Sequence, residues 1–206
     1  LLGAAMTILP SDRTALDIGT GTGVIALMAA QRSEACNIIG IDIDPASAEE
    51  ASFNFSASPW KERLTSVCVP LSGFRTGQKF DLIFSNPPYY DSSLKNPDPR
   101  EAAARHSDSL SCRDILSFAA GRLSPEGRLS LILPSDGLRD LRRCAASFGL
   151  HPFRLLHIKT TAAKQPRRVV AEFSAAAAVV EEQCLTLSEA GKKTEEYSLL
   201  TRDFYL

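Results

Sequence analysis

Short apolar runs and stretches of helical spacing alternate along the first two thirds of this chain. "TALDIG" (14–19), "NIIGIDID" (37–44), "LTSVCVPL" (64–71), "FDLIFS" (80–85) and "GRLSLILP" (127–134) have the length and β-branched content of buried strands. Between them, "GVIALMAAQR" (23–32), "PASAEEASFNFSAS" (45–58), "SCRDILSFAAGRL" (111–123) and "DGLRDLRRCAASFG" (136–149) repeat their apolar positions every three or four residues, as helices do. This order predicts a parallel sheet covered by helices on both faces. Right-handed crossovers then bring the strand C-termini to one edge, where ligands collect.

The pattern changes near the end. "PFRLLHIKT" (152–160) and "RVVAEFSAAAAVV" (168–180) are consecutive strand-like runs with no helix between them, which predicts an antiparallel hairpin appended to the sheet. The expected fold is α/β, Rossmann-like and mostly parallel, with a C-terminal antiparallel hairpin, in a single domain over residues 1–206. The longest irregular stretch, "YYDSSLKNPDPREAAARHSDSL" (89–110), exceeds a routine connection and is expected to be a lid or substrate loop.

Composition changes this picture little. With 206 residues, 44% hydrophobic, 23% charged and a formal net charge of -1, the chain reads as a soluble globular protein. Any polyanionic partner must therefore be sought in local charge. No apolar run approaches bilayer-spanning length, and a cytoplasmic monomer is expected. The chain opens "LLGAAMTILP" without an initiator Met, so a preceding segment is expected to be missing. Five cysteines (Cys36, Cys68, Cys112, Cys144, Cys184) are scattered, with no Cys-x-x-Cys or Cys/His cluster. They are expected to be reduced and mostly buried, with no metal bound.

Candidate chemistry begins at "LDIGTGTGVIAL". Asp17, Gly19, Thr20, Gly21 and Gly23 fall at a strand-to-helix turn, where glycines let the backbone approach a ligand. Val24 stands where a dinucleotide fingerprint has its third Gly. Asp42, with Ile43 beside it, ends the next strand, where a carboxylate can accept from both ribose hydroxyls. An acid just before the turn, Asp17, suits a cationic ligand better than a pyrophosphate. S-adenosylmethionine, which carries a sulfonium and an ammonium, meets both conditions.

The fourth strand ends in Asn86-Pro87-Pro88-Tyr89, which places these residues at the same sheet edge, with Asn86 facing the methyl end of the cofactor and counted among the cofactor-binding candidates. An exocyclic NH₂ on a planar ring is a poor nucleophile because its lone pair is delocalised. Two acceptors aimed at its hydrogens, the Asn86 side-chain oxygen and the Pro87 carbonyl, would localise that lone pair toward a methyl donor. Proline's fixed φ holds the turn rigid. The Tyr89 ring offers a face for a planar substrate, with Pro88 and Tyr90 beside it.

These motifs resemble the amino-methyltransferases with an Asn-Pro-Pro-Tyr motif, on "LDIGTGTGVIALMAA", "GIDIDPASAEEASFNF" and "FDLIFSNPPYY". More narrowly, "LLGA", "ARH", "KQPRRVVAEF" and "YSLLTRDFYL" resemble the bacterial tRNA1(Val) (adenine(37)-N6)-methyltransferase family, so that the resemblance spans essentially the whole chain. It implies a class I methyltransferase sheet, which ends in an antiparallel pair. It also implies methyl transfer from S-adenosylmethionine to N6 of the adenine beside the anticodon of a valine tRNA. Two departures stand out. A segment that precedes "LLGA" in the family is absent, and the stretch after the third strand, "VCVPLSGF", lacks the acid that often binds the cofactor's adenine.

An RNA substrate finds independent support in charge. Residues 141–171 hold no acid, but do hold Arg142, Arg143, Arg154, Lys159, Lys164, Arg167 and Arg168. Lys164, Arg167 and Arg168, in the loop between the last two runs, are the leading phosphate contacts. Arg105 and His106, in the long loop, are candidates for guiding the base. Three other readings remain open: a glutamine-N5 methyltransferase acting on a peptide-release factor, a non-catalytic RNA-binding subunit, and a nicotinamide oxidoreductase. Intact Asn86 and Tyr89 speak against the second, and Val24 with the terminal hairpin against the third.

Overall fold

The structure, a computed structural model, describes residues 1–88 and 110–204. Tyr89, Tyr90, Arg105 and His106 lie outside them. One nine-stranded sheet runs in the order β3-β2-β1-β4-β5-β7-β6-β8-β9. Its strands are β1 (Thr14–Ile18), β2 (Asn37–Asp42), β3 (Leu64–Cys68), β4 (Phe80–Ser85), β5 (Leu123–Pro134), β6 (His151–Thr161), β7 (Arg168–Ser174), β8 (Glu181–Glu189) and β9 (Lys192–Lys193). The first five pair in parallel, as their βα alternation predicts. β7 then lies antiparallel between β5 and β6, forming the expected hairpin.

Beyond that hairpin the chain differs from its pattern. β7 stops at Ser174, so "AAAAVV" (175–180) is an irregular link and Val179 is almost fully exposed. The link carries the chain past β6 so that β8 pairs parallel to it, and the two-residue β9 closes a turn on β8. The first four residues of β8 are exposed Glu, Glu, Gln and Cys, which is why no strand is legible there.

Helices cover both faces. α1 (Leu2–Ala5), α2 (Val24–Arg32), α3 (Pro45–Ser56) and α6 (Glu195–Thr201) contribute to one core, with Ala15, Leu82, Phe84, Ile132 and Val170 of the sheet. α4 (Cys112–Arg122) and α5 (Leu138–Ser147) pack on the other face against Leu16, Ile18, Ile83, Leu131 and Phe173. Each large apolar side chain so buried contributes roughly 1.5–3 kcal/mol. Among the described residues, no helix is long and apolar enough to cross a membrane. Of the five thiols only Cys36 is fully buried, while Cys68 and Cys184 are exposed. The expectation of mostly buried cysteines fails because Cys68 sits on the edge strand β3 and Cys184 in the charged start of β8.

Residues 1–12 form a strap beneath β5 and β7, pinned by two buried ion pairs. Glu172 of β7 accepts from the Thr7 amide and hydroxyl, the Ser130 hydroxyl and the Arg154 guanidinium at 2.6–3.0 Å. Arg128 donates to Asp12 at the far end of the strap. Arg154 is thus committed to the interior and leaves the basic surface to which its place in the sequence had assigned it.

Candidate active site

Register builds the site. Ile18 of β1 stands opposite both Ile41 of β2 and Ser85 of β4. The residues that follow, Gly19, Asp42 and Asn86, therefore leave the same edge of the sheet from three neighbouring strands. The Ser85 hydroxyl donates to the Ile18 carbonyl at 2.6 Å and locks the two strand ends together directly below. Sequence reasoning missed this contact; its signal was a single hydroxyl closing an otherwise apolar run.

The glycine turn is held from several sides. Amides of Gly19 and Thr20 donate to the Ile41 carbonyl, and the Gly21 amide donates to Asp42 Oδ2 at 2.8 Å. Asp42 Oδ1 accepts from the Asp44 amide. Each carboxylate oxygen so keeps a lone pair for a further donor, as a ribose diol requires. Asp44 is the N-cap of α3 and accepts from the Ser47 amide and hydroxyl, so it serves the helix. Gly23 is required twice: its φ is 82°, and a Cβ there would stand 2.5 Å from Phe55 Cε1. Gly21 (φ 55°) has none of the described residues within 4 Å of where a Cβ would be, so its backbone is open to close approach by a ligand on that side. From α3, Asn54 Nδ2 donates to the Thr22 carbonyl and steadies the outer end of the turn.

Asp17 is fully buried on the α2 face of the sheet. The Thr20 hydroxyl donates to its Oδ2 at 2.9 Å, while Oδ1 is buried without a hydrogen-bond partner among the described residues. Burial pushes its pKa up to about 7; the Thr20 bond opposes that rise, the Asp42 charge adds to it, and the Ala26 amide opposes it weakly from outside hydrogen-bond geometry. Thr20 itself is buried over Gly40, so its side chain supports the turn rather than facing outward. Ile43 is exposed at the end of β2.

Asn86 is exposed, Pro87 buried and Pro88 exposed, which is the arrangement a rigid turn presenting an amide needs. The chain returns at Leu110, whose Cδ2 would lie 3.5 Å from a Cβ on Gly19. The outer side of the glycine turn is thus lined by the start of the segment leading to α4. Lys164, Arg167 and Arg168 are all exposed. Arg168 pairs with Pro134 at the C-terminal end of β5, and the Arg167 carbonyl accepts from the Ser135 amide. The structure therefore brings this basic loop to the same edge as Asn86, two strands away.

Residues 4–138 match the family model described as "Methyltransferase small domain". Over its full length the chain is 40% identical to the tRNA1(Val) (adenine(37)-N6)-methyltransferase of Bacteroides fragilis, covering 88% of that protein. It is 35% identical, with the same coverage, to the protein of that name from Aliivibrio fischeri. The chain belongs to the tRNA1(Val) (adenine(37)-N6)-methyltransferase family. Solved methyltransferases share its fold at low identity. A "predicted O-methyltransferase" from Agrobacterium tumefaciens superposes with a TM-score of 0.74 at 18% identity, covering 98% of this chain and 94% of that one. The glycopeptide N-methyltransferase MtfA, complexed with S-adenosyl-L-methionine, gives 0.61 at 11% identity over 82% and 89%.

Proposed function

We propose that this enzyme methylates N6 of an adenine in a tRNA anticodon loop, adenine 37 of a valine tRNA as its relatives are named, with S-adenosylmethionine as donor. The observation that carries the reading is that Gly19, Asp42 and Asn86 each follow one of the matched positions Ile18, Ile41 and Ser85 at one edge of three adjacent strands. The residues fit the cofactor. Asp42 retains acceptors for a ribose diol, Gly21 leaves room for close approach, and the buried Oδ1 of Asp17 lacks the donor that an ammonium would provide.

S-adenosylmethionine, when bound, supplies a methyl group already activated on a sulfonium sulfur. The protein's contribution is position. Asn86 Oδ1 and the Pro87 carbonyl accept the two N–H bonds of the adenine amino group, orient it, and draw its lone pair out of conjugation. Buried Pro87 fixes the turn so that neither acceptor has to be ordered during the reaction. Tyr89, Pro88 and Tyr90 supply stacking surface, and Arg105 and His106 guide the flipped base. Lys164, Arg167 and Arg168 hold phosphates of the loop, whose single-stranded bases are the easiest to splay into a pocket.

The test supplies radiolabelled S-adenosylmethionine with either unmodified tRNA or peptide-release factor, followed by digestion and mass analysis. The expected product is N6-methyladenosine from the tRNA. Label in N5-methylglutamine of the release factor, with none in RNA, overturns the proposal in favour of the side-chain amide reading.

A further inference from the structure

Helix α5 descends from the site edge immediately after β5, and its sequence LRDLRRCAAS carries an unusual charge pattern for its position. Arg139, Arg142, Arg143 and Ala146 are exposed, at the i, i+3, i+4, i+7 spacing of one stripe, while Leu141 and Ala145 are buried on the opposite side. Arg139 falls in the first turn of the helix, where the dipole disfavours a cation, and Arg142 and Arg143 follow as neighbouring like charges. Only Arg143 has an ion pair among the described residues, with Asp140 at 3.6 Å. Neither Arg139 nor Arg142 has one. Intramolecular stability therefore does not account for the stripe.

The stripe is continuous with the loop already assigned to phosphates. The Arg167 carbonyl accepts from the Ser135 amide, at the start of the short 3-10 turn that leads into α5. From Lys164, Arg167 and Arg168 the charge passes to Arg139 and then down the helix, away from Asn86. On the next helix, exposed Arg113 lies over the Phe148 ring at the C-terminal end of α5. Among the described residues, the acids in these two helices and the 3-10 turn are Asp114, Asp136 and Asp140. Beyond them, exposed Glu181, Glu182 and Glu189 lie along β8, on the outer side of β6, and Glu195 and Glu196 at the start of α6, which packs on the other face of the sheet from α5. A chain of net charge -1 thus presents a directional cationic track.

We infer that Arg139, Arg142 and Arg143 form a second RNA surface, which grips backbone phosphates of the base-paired stem flanking the methylated loop. This rests on the tRNA reading above and adds a division of labour. The 164–168 loop, beside Asn86, holds the single-stranded part. The α5 stripe, leading away from the site, holds the duplex, where proteins contact phosphates and sugars rather than base edges. Guanidinium groups, planar and always charged, suit phosphate oxygens.

The test compares full-length unmodified tRNA with a single-stranded oligonucleotide of the anticodon-loop sequence, using binding by fluorescence anisotropy over a salt series. Replacing Arg139, Arg142 and Arg143 together by Ala should weaken tRNA binding about tenfold and lower the log–log salt slope by roughly two. It should leave the oligonucleotide within about twofold of wild type. Replacing Lys164, Arg167 and Arg168 by Ala should weaken both. The triple Lys variant of the α5 stripe keeps the charge and should restore most of the tRNA affinity. Unchanged tRNA binding in the Ala variant, equal loss of both RNAs, or no recovery with Lys overturns the inference. A wild-type protein that methylates adenine in no RNA strikes the underlying reading instead, and is seen before any variant is made.

Discussion

Two carboxylates are completely buried in this sheet, and they differ in every other respect. Glu172, in the middle of β7, receives four hydrogen bonds, one of them from the Arg154 guanidinium. Asp17, at the end of β1, receives one from Thr20 and has an oxygen with no partner among the described residues. Burial carries the same cost in both places; what differs is whether the protein itself meets it. At Glu172 the protein does, and the result is a strap of chain fixed under the sheet. At Asp17 the protein stops short, beside the glycine turn where a cationic cofactor would complete the set. A fully satisfied buried acid is architecture, and on the proposal above the unsatisfied one at Asp17 is a binding group for a cationic cofactor.

The sharpest way to break this contrast is to remove Glu172. Glu172→Ala leaves Arg154 buried against the strap without its carboxylate, and should cost about 3–5 kcal/mol in chemical denaturation, or prevent folding. A loss below about 1 kcal/mol would place Glu172 in the same class as Asp17.

Asp17→Asn should behave in the opposite sense. Because the folded state holds the Asp17 proton up to about pH 7 and the unfolded state releases it near 3.8, the folded form binds more protons between those values. Stability of the ligand-free protein therefore falls as pH rises through that window and levels off above it. The Asn variant loses this slope, and at pH 8 should be more stable than the parent by about 1–3 kcal/mol in ligand-free melts. Cofactor affinity carries the complementary signature. A cationic ligand favours the ionised carboxylate, so binding to the parent should strengthen as pH approaches 7, by up to about tenfold per unit, and then plateau. Calorimetric titration of Asp17→Asn should show weak, pH-independent binding. The smallest effect belongs to Ser130→Ala, which removes one of the four donors to Glu172 and should cost about 1 kcal/mol in the same denaturation experiment.

The same contrast marks what the chain's pattern made legible. The strands β1 to β7 announce themselves because each is an apolar run bounded by Gly, Pro or a charged turn, and their order places the ligand edge. Asp17, the glycines, Asp42 and Asn86 are legible because polar residues and glycines at the ends of buried strands interrupt the apolar pattern. The strap at residues 1–12 is not legible, since "LLGAA" is too short to show a period and its fixation depends on Glu172, some 160 positions away. β8 hides because its first residues are charged and its partner β6 is parallel and already counted in a hairpin. The burial of Thr20, the seating of Phe55 beneath Gly23 and the Ser85 lock at Ile18 are likewise products of packing between distant segments.

Whether Asn86 acts mainly by gripping the amino group to be methylated, with only a small share in holding the cofactor, is read by measuring kcat and cofactor Kd together for Asn86→Ala. Single-turnover transfer to tRNA should fall at least about a thousandfold, in the range expected when a preorganised acceptor is removed. Cofactor Kd should remain within about threefold of wild type. Near-normal transfer, or a Kd that rises in proportion to the lost activity, would contradict the assignment.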